Sequence, residues 1–303
     1  FMALLGMFCV IAIPAIVELY DTSLSAKVSA IGVFVLIVIP LITINGLYQV
    51  PDTKLKKVQS KIENPFKTFK SFFGNSMLNK IVLAAALIAF CMSLNGALYL
   101  IWMDVVMELP EYSSRLMLMY YLVSVFGLGI WRYLSIKTSK HFAAGISCLY
   151  AIIILVIGFI GFFFIRDMDQ SLKLIAVGSF IVLYGFSFSG PMPLINAIIA
   201  DISDKLSLEN GENISGTVFS YLTTITKVGF ALAAVIPYLV LELVWGFNIT
   251  LGTDNTESSK MAIFYIYTFV PIICYSIASY MLFSHSLGRD EHEKIKSVME
   301  EVS

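Results

Sequence analysis

The sequence predicts an all-α protein that crosses a membrane eight times. Three observations predict it. The 303 residues are 58% hydrophobic and only 14% charged, where a soluble domain carries about 25% charged residues. Eight apolar stretches are each long enough to cross a hydrocarbon core of about 30 Å as a helix. They lie near 1–20, 28–49, 80–103, 115–136, 142–165, 173–200, 215–245 and 261–283. Their length favours helices over the shorter, alternating strands of a membrane barrel. Prolines stand inside them at Pro14, Pro40, Pro191, Pro193, Pro237 and Pro271. A membrane bundle tolerates them because neighbouring helices satisfy the freed carbonyls.

The first segment begins at Phe1, already in an apolar run, with no charged stretch or small-residue cleavage site before it. It is therefore no signal peptide, and the chain is expected to start part-way along a longer protein. Near its end stands Glu18, an acid expected at the membrane interface, as is Glu242 in the seventh. The second segment leads into a polar loop, Gln49 to Lys80, which divides the chain into two spans and six. Within it, Asn64-Pro65 is a helix start, a cap followed by proline at the first position. Phe66, Phe69, Phe72 and Phe73 then recur at helical spacing around Lys67 and Lys70, the pattern of a short helix lying on the inner leaflet.

Asn45, Asn95 and Tyr99 in the second and third segments are candidates to line a cavity. Their other reading is an interhelical hydrogen bond, which contributes about 0.6 kcal/mol. The sixth segment is loosened by Gly185, Gly190, Pro191 and Pro193 just before Asn196. Interrupted helices of this kind surround binding sites in membrane carriers, although close packing also selects glycine. Past the seventh segment, Asn248-Ile249-Thr250 fits a glycosylation acceptor pattern.

The seventh segment holds the sharpest signal. From Ser215 to Trp245 it is apolar except for Lys227 and Glu242. A helix starting at Ser215 puts Lys227 roughly 18 Å along its axis, near mid-membrane. A charge there costs about 2.5–3.5 kcal/mol on insertion scales. Either the lysine snorkels or pairs with a neighbouring helix, or it lines a polar pathway.

A net charge of −1 gives no hint of nucleic acid. Cys9, Cys91, Cys148 and Cys274 are scattered singly, and His141, His285 and His292 fall near span ends. No CxxC or Cys/His spacing points to a metal or a disulfide framework, and no cofactor is expected. Walker, GxSxG and HExxH motifs are absent from the sequence, and no paired carboxylates, His/Asp or Ser/Lys sit at helical spacing in the spans. An enzyme is therefore not expected.

Basic residues give the topology. The loop carries Lys54, Lys56, Lys57, Lys61, Lys67, Lys70 and Lys80. On the same side fall Arg132, Lys137, Lys140, Lys205, Arg289, Lys294 and Lys296. Those fourteen face Lys27, Arg115, Arg166, Lys173 and Lys260 on the other side. The excess predicts that the loop and the C-terminus are cytoplasmic, and a plasma-membrane location is expected.

The run Ala200-Asp201-Ile202-Ser203-Asp204, then Gly211, Gly216-Thr217, Phe219-Ser220, Lys227 and Gly229, resembles the signature of the glycoside–pentoside–hexuronide:cation symporters. These are the melibiose-permease-like branch of the major facilitator superfamily, with a pattern close to A-D-x-x-D-Y, a charged turn, F-S and K-x-G. Trp131 with its basic connector resembles the branch's turn between helices VIII and IX. Leu287, His292 and Ile295 resemble its tail.

The resemblance covers essentially the whole chain and implies a major facilitator helical bundle, with the eight spans matching helices V to XII. It implies four parts. Residues 1–50 would be the last two helices of the N-terminal bundle, 51–79 the central loop, 80–284 the six-helix C-terminal bundle and 285–303 the tail. It also implies alternating-access transport of a small-molecule substrate, a sugar or sugar acid, coupled to Na⁺ or H⁺ in a surround of membrane lipid. Lys227, Thr223, Asn196 and Met192 would line the substrate and cation pathway, and Asp201, Asp204 and Lys205 the cytoplasmic gate.

The chain departs from the pattern at four positions. Lys205 stands where tyrosine is usual, Asn213 and Ser215 replace a basic and an acidic residue, and Met192 stands where melibiose permeases tend to carry tryptophan. The lost stacking residue argues against a galactoside. The rival readings are a carrier of lysolipid or another amphiphile, and a membrane assembly subunit.

Overall fold

A computed structural model describes residues 2–21, 23–49, 72–211 and 213–284. Among them the chain is helical throughout. The order is α1 (Met2–Val17), α2 (Leu24–Gln49), α3 (Ser76–Ile101), α4 (Ser113–Lys137), α5 (Lys140–Ile165), α6 (Gln170–Phe188), α7 (Pro191–Asn210), α8 (Ser215–Trp245) and α9 (Glu257–Phe283). The interfacial helix expected around Asn64-Pro65 and the tail residues Leu287, His292 and Ile295 lie outside the described residues.

Capping side chains start the helices where the sequence turns polar. Asn75 accepts from the Leu78 amide at 2.9 Å, Ser139 from the Phe142 amide at 3.1 Å and Thr256 from the Ser259 amide at 3.2 Å. Each satisfies an amide that the first turn leaves open. Gly211 and Gly246 end α7 and α8 with φ of 69° and 62°, a left-handed conformation that costs glycine little. α3 runs on into a wider turn, Trp102–Val106, in which the Met107 amide reaches back to the Trp102 carbonyl at 2.9 Å.

Seven rods are long and apolar enough to cross a membrane. The segment expected over residues 1–20 is helical from Met2 to Val17 among the described residues. The sixth span is broken, as the glycines and prolines predict. α6 stops at Phe188, and α7 restarts with Pro191 in its first turn. Together they run 40 residues, about 60 Å and twice the hydrocarbon thickness. The acid-bearing end of α7 therefore stands outside the membrane.

α3 is the packing centre, with α8 and α9 against it and α7 beside it. α9 also packs on α5, α4 on α6, and α1 on α4. At the α3–α8 crossing, a Cβ on Gly229 would lie 2.7 Å from the Ala86 carbonyl oxygen, so only glycine allows the two backbones this approach. The core is split along the bundle axis. One cluster, around Ile81, Ile88, Ile195 and Leu222, fills the end where Gln49 and Ser76 lie. The other, around Leu98, Met103, Leu241 and Phe264, fills the far end.

Glu18, the acid expected at the membrane interface, is buried inside the protein. It is 2% exposed. Lys27 of α2 donates to its Oε1 at 2.6 Å, and the Arg115 guanidinium of α4 stands 3.6 Å from its Oε2. Opposite charges on two other helices make burial affordable.

Candidate functional site

α8 starts at Ser215, so Lys227 lies where the charge argument placed it. The side chain is exposed, with its ammonium 5.5 Å from the Phe230 ring. No carboxylate among the described residues pairs with it. Gly229, two residues on, faces α3, and at 100° per residue this turns Lys227 away from that contact.

The residues sharing its face decide what that surface is. Gly216, Ser220, Thr223, Lys227, Ala231 and Ala234 follow one another at three- and four-residue steps, and all are exposed. All but Lys227 are small, and half are polar. The adjoining exposed stripe is Val228, Leu232, Val235 and Leu239, apolar throughout as a lipid-facing stripe is. α8 thus shows two different faces beside its buried one, and Lys227 is on the polar one.

Between the two core clusters lies a cup of aromatic rings. α3 contributes Asn95 and Tyr99, α4 Tyr120 and Tyr121, α6 Tyr184 and α9 Tyr267. The Asn95 amide nitrogen donates to the Tyr184 hydroxyl, while its Oδ1 is buried with no hydrogen-bond partner. The Tyr99 hydroxyl donates to the Ser113 carbonyl at 2.8 Å. Ring contacts of Tyr120 with Tyr121 at 5.3 Å and Tyr184 at 6.0 Å brace the wall. The cup encloses about 50 Å³, room for a few water-sized groups. An unpaired amide oxygen beside tyrosine faces suits a hydroxyl-bearing edge of a solute, whose C–H surface packs on the rings.

The turn expected to form a gate is held to α5. The Lys140 ammonium donates to Asp201 Oδ1 at 2.7 Å and Oδ2 at 2.5 Å, and to the Ala197 carbonyl at 3.5 Å. Asp204 and Lys205 are half-buried on the same helix. Ser207 Oγ accepts from the Ile214 amide at 3.2 Å, and Asn213 Oδ1 from the Ser215 amide at 3.1 Å. Two of the departures from the family pattern, Asn213 and Ser215, thus meet in the hydrogen bond that leads into α8.

The site residues read from the sequence fall into three places. Lys227 and Thr223 share the polar face of α8. Asn196 is exposed on α7 and makes no hydrogen bond to Lys227, and Met192 packs half-buried against the Ile195 cluster. Asn95 and Tyr99 are in the cup. Sequence reasoning missed Tyr120, Tyr121, Tyr184 and Tyr267, because a tyrosine in an apolar run also suits the membrane interface. It counted Lys140 only as a topology residue. The signal that Lys140 pairs with Asp201 would have been that each stands at the polar edge of its span.

A family model described as MFS/sugar transport protein matches residues 1–289, and the chain belongs to that family of the major facilitator superfamily. It is an integral, multi-pass membrane protein of a transporter family. No curated protein matches the chain.

Proposed function

We propose that this member of the MFS/sugar transport protein family carries a sugar or sugar acid together with Na⁺ or H⁺ by alternating access. The observation that carries the reading is the polar, small-residue face of α8 around Lys227. A mid-span ammonium with no described counter-ion, on a face unlike the lipid-facing one, suits a pathway for polar solutes. Lys227 offers donors to sugar hydroxyls or a hexuronate carboxylate. The Asn95 and tyrosine cup takes one edge of the ring, and Thr223 supports the lysine's face. Met192 and Asn196 line the same pathway from α7. Lys140, Asp201, Asp204 and Lys205 close it at the polar end, where the Lys140–Asp201 pair holds α5 to α7. The coupling cation rests on the resemblance to the symporter branch.

The test is uptake by the full-length protein in proteoliposomes under an imposed Na⁺ or H⁺ gradient, with a panel of labelled glycosides, pentosides and hexuronides. Lys227→Leu removes an insertion penalty of about 2.5–3.5 kcal/mol, so expression should hold while gradient-driven uptake falls at least tenfold. Lys227→Arg should restore little, since the guanidinium is wider and planar. Normal affinity and ion dependence in Lys227→Leu would make Lys227 structural and sink the site. Uptake of labelled lysophospholipid with no sugar uptake would replace the substrate class.

A further inference from the structure

A second cavity, of about 230 Å³, opens between α5 and α6. It exists because small residues stand where the two helices would otherwise fill the space. On α5 these are Gly158 and Gly161, on α6 Ala176 and Ser179. A Cβ on Gly158 would strike the Phe180 ring at 2.4 Å, whereas one on Gly161 would meet nothing within 4 Å. The helices touch at the first glycine and part at the second. The rim is Ile157 and Leu183, 55% and 46% exposed. Both lie inside membrane-crossing rods, so the medium at this opening is bilayer lipid.

Trp102 lines the depth of the groove. It is 3% exposed and stacks on Tyr267 with centroids 4.9 Å apart and planes 4° apart. Its Nε1 is buried and has no hydrogen-bond partner. A buried indole N–H normally finds an acceptor, and leaving it unmade is costly. From Ser76 to Trp102 the rod rises about 39 Å, which brings the indole to the depth of the membrane interface.

The end of the groove nearest the surface carries Met107 and Ile165. Just beyond it a second hollow is lined by Arg166, Lys173 and Lys260 together with the acids Glu108, Asp167 and Glu257, a mixed set that suits a zwitterionic headgroup. Arg166 follows the end of α5 and Lys173 sits in the first turn of α6, the two helices that form the groove. The Arg166 partner, Asp167, is 81% exposed and the Lys260 partner, Glu257, 73%, so water screens both pairs.

We infer that this groove holds one phospholipid of the leaflet at the Trp102 end. An acyl chain lies along Gly161 and Gly158, an ester carbonyl accepts from Trp102 Nε1, and the phosphate rests on Arg166 and Lys173. Apolar walls, an orphan donor at interface depth and a surface hollow of three bases and three acids follow in the order in which a phospholipid presents chain, ester and zwitterionic headgroup. The site lies on the flank of α5 and α6, away from the polar face of α8, and does not depend on what the protein transports.

The test is quenching of tryptophan fluorescence in the full-length protein in nanodiscs of phosphatidylcholine with brominated acyl chains. The difference between parent and Trp102→Phe isolates the Trp102 signal, and phenylalanine keeps the stacking on Tyr267. Quenching of that signal should drop at least threefold when Gly161→Phe fills the open part of the groove. Ser179→Phe fills it from the α6 wall and serves if Gly161→Phe fails to fold. Arg166→Ala with Lys173→Ala should lower the fraction of protein that retains one phospholipid in native mass spectrometry by at least threefold. Equal quenching with the groove filled or open would mean annular lipid only and overturn the site. So would a parent signal no more quenched than Trp102→Phe.

Discussion

A carboxylate with no exposed side-chain surface ends α1, and two cations reach it from other helices. Glu18 Oε2 has no hydrogen bond, since Arg115 stops at 3.6 Å. The cluster is thus held by charge on one oxygen and by a charge-assisted hydrogen bond on the other. Glu18→Gln should leave Lys27 half-buried and unpaired. The expected cost is about 1–2 kcal/mol, below the 3–5 of a fully buried pair because Arg115 is 43% exposed and screened. Adding Lys27→Met should recover most of the loss. Thermal unfolding in detergent reads both, and a double variant no more stable than the single one would reject pairing as the cause. Nothing local in the sequence distinguishes Glu18 from any acid at a span end, because Arg115 belongs to a distant segment. Lys227 was legible for the opposite reason. A lone charge in the middle of an apolar run needs no partner to be conspicuous.

At the scale of elements, the sequence announces breaks more clearly than contacts. Gly190-Pro191 ends α6 and starts α7 because proline lacks the donor a continuing helix needs. At the first span the helix ends at Val17 and residues 18–20 turn, a boundary that hydropathy alone does not mark. The pairing of α3 with α8 was not legible, because a glycine in a span reads equally as a packing contact or a loosened turn. Gly229→Ala should force the two backbones apart at the Ala86 carbonyl, and overpacking of this kind costs about 1–3 kcal/mol. Gly216→Ala on the same helix meets nothing within 4 Å and should be neutral, or stabilising by up to about 1 kcal/mol through helix propensity. Paired melting curves of the two variants test the crossing. If they shift alike, propensity governs both and the close approach carries no energy.

For the whole molecule, the two core clusters sit at opposite ends of the bundle and the ring-lined cup lies between them. A membrane protein with one fixed orientation needs a signal for it, and charge at the span ends supplies one. Fourteen basic residues belong to the side of the 49–80 loop and five to the other. The described helices agree with this sorting by their ends. Lys137 and Lys140 fall where α4 meets α5, while Arg115, Arg166, Lys173 and Lys260 all fall at the far ends of their helices. The positive-inside rule acts on short connections and span ends, which is where these residues are. The loop and the C-terminus should therefore face the cytoplasm. Replacing Cys9, Cys91, Cys148 and Cys274 by serine or alanine gives a background for single cysteines at Ser60 and Ser258. In intact cells a membrane-impermeant maleimide should label the Ser258 position, which is exposed just before Lys260. It should reach the Ser60 position only after the membrane is permeabilised. Labelling of both positions in intact cells would put the loop and the α8–α9 connection on one side. A parity of crossings different from the one drawn here would then be required.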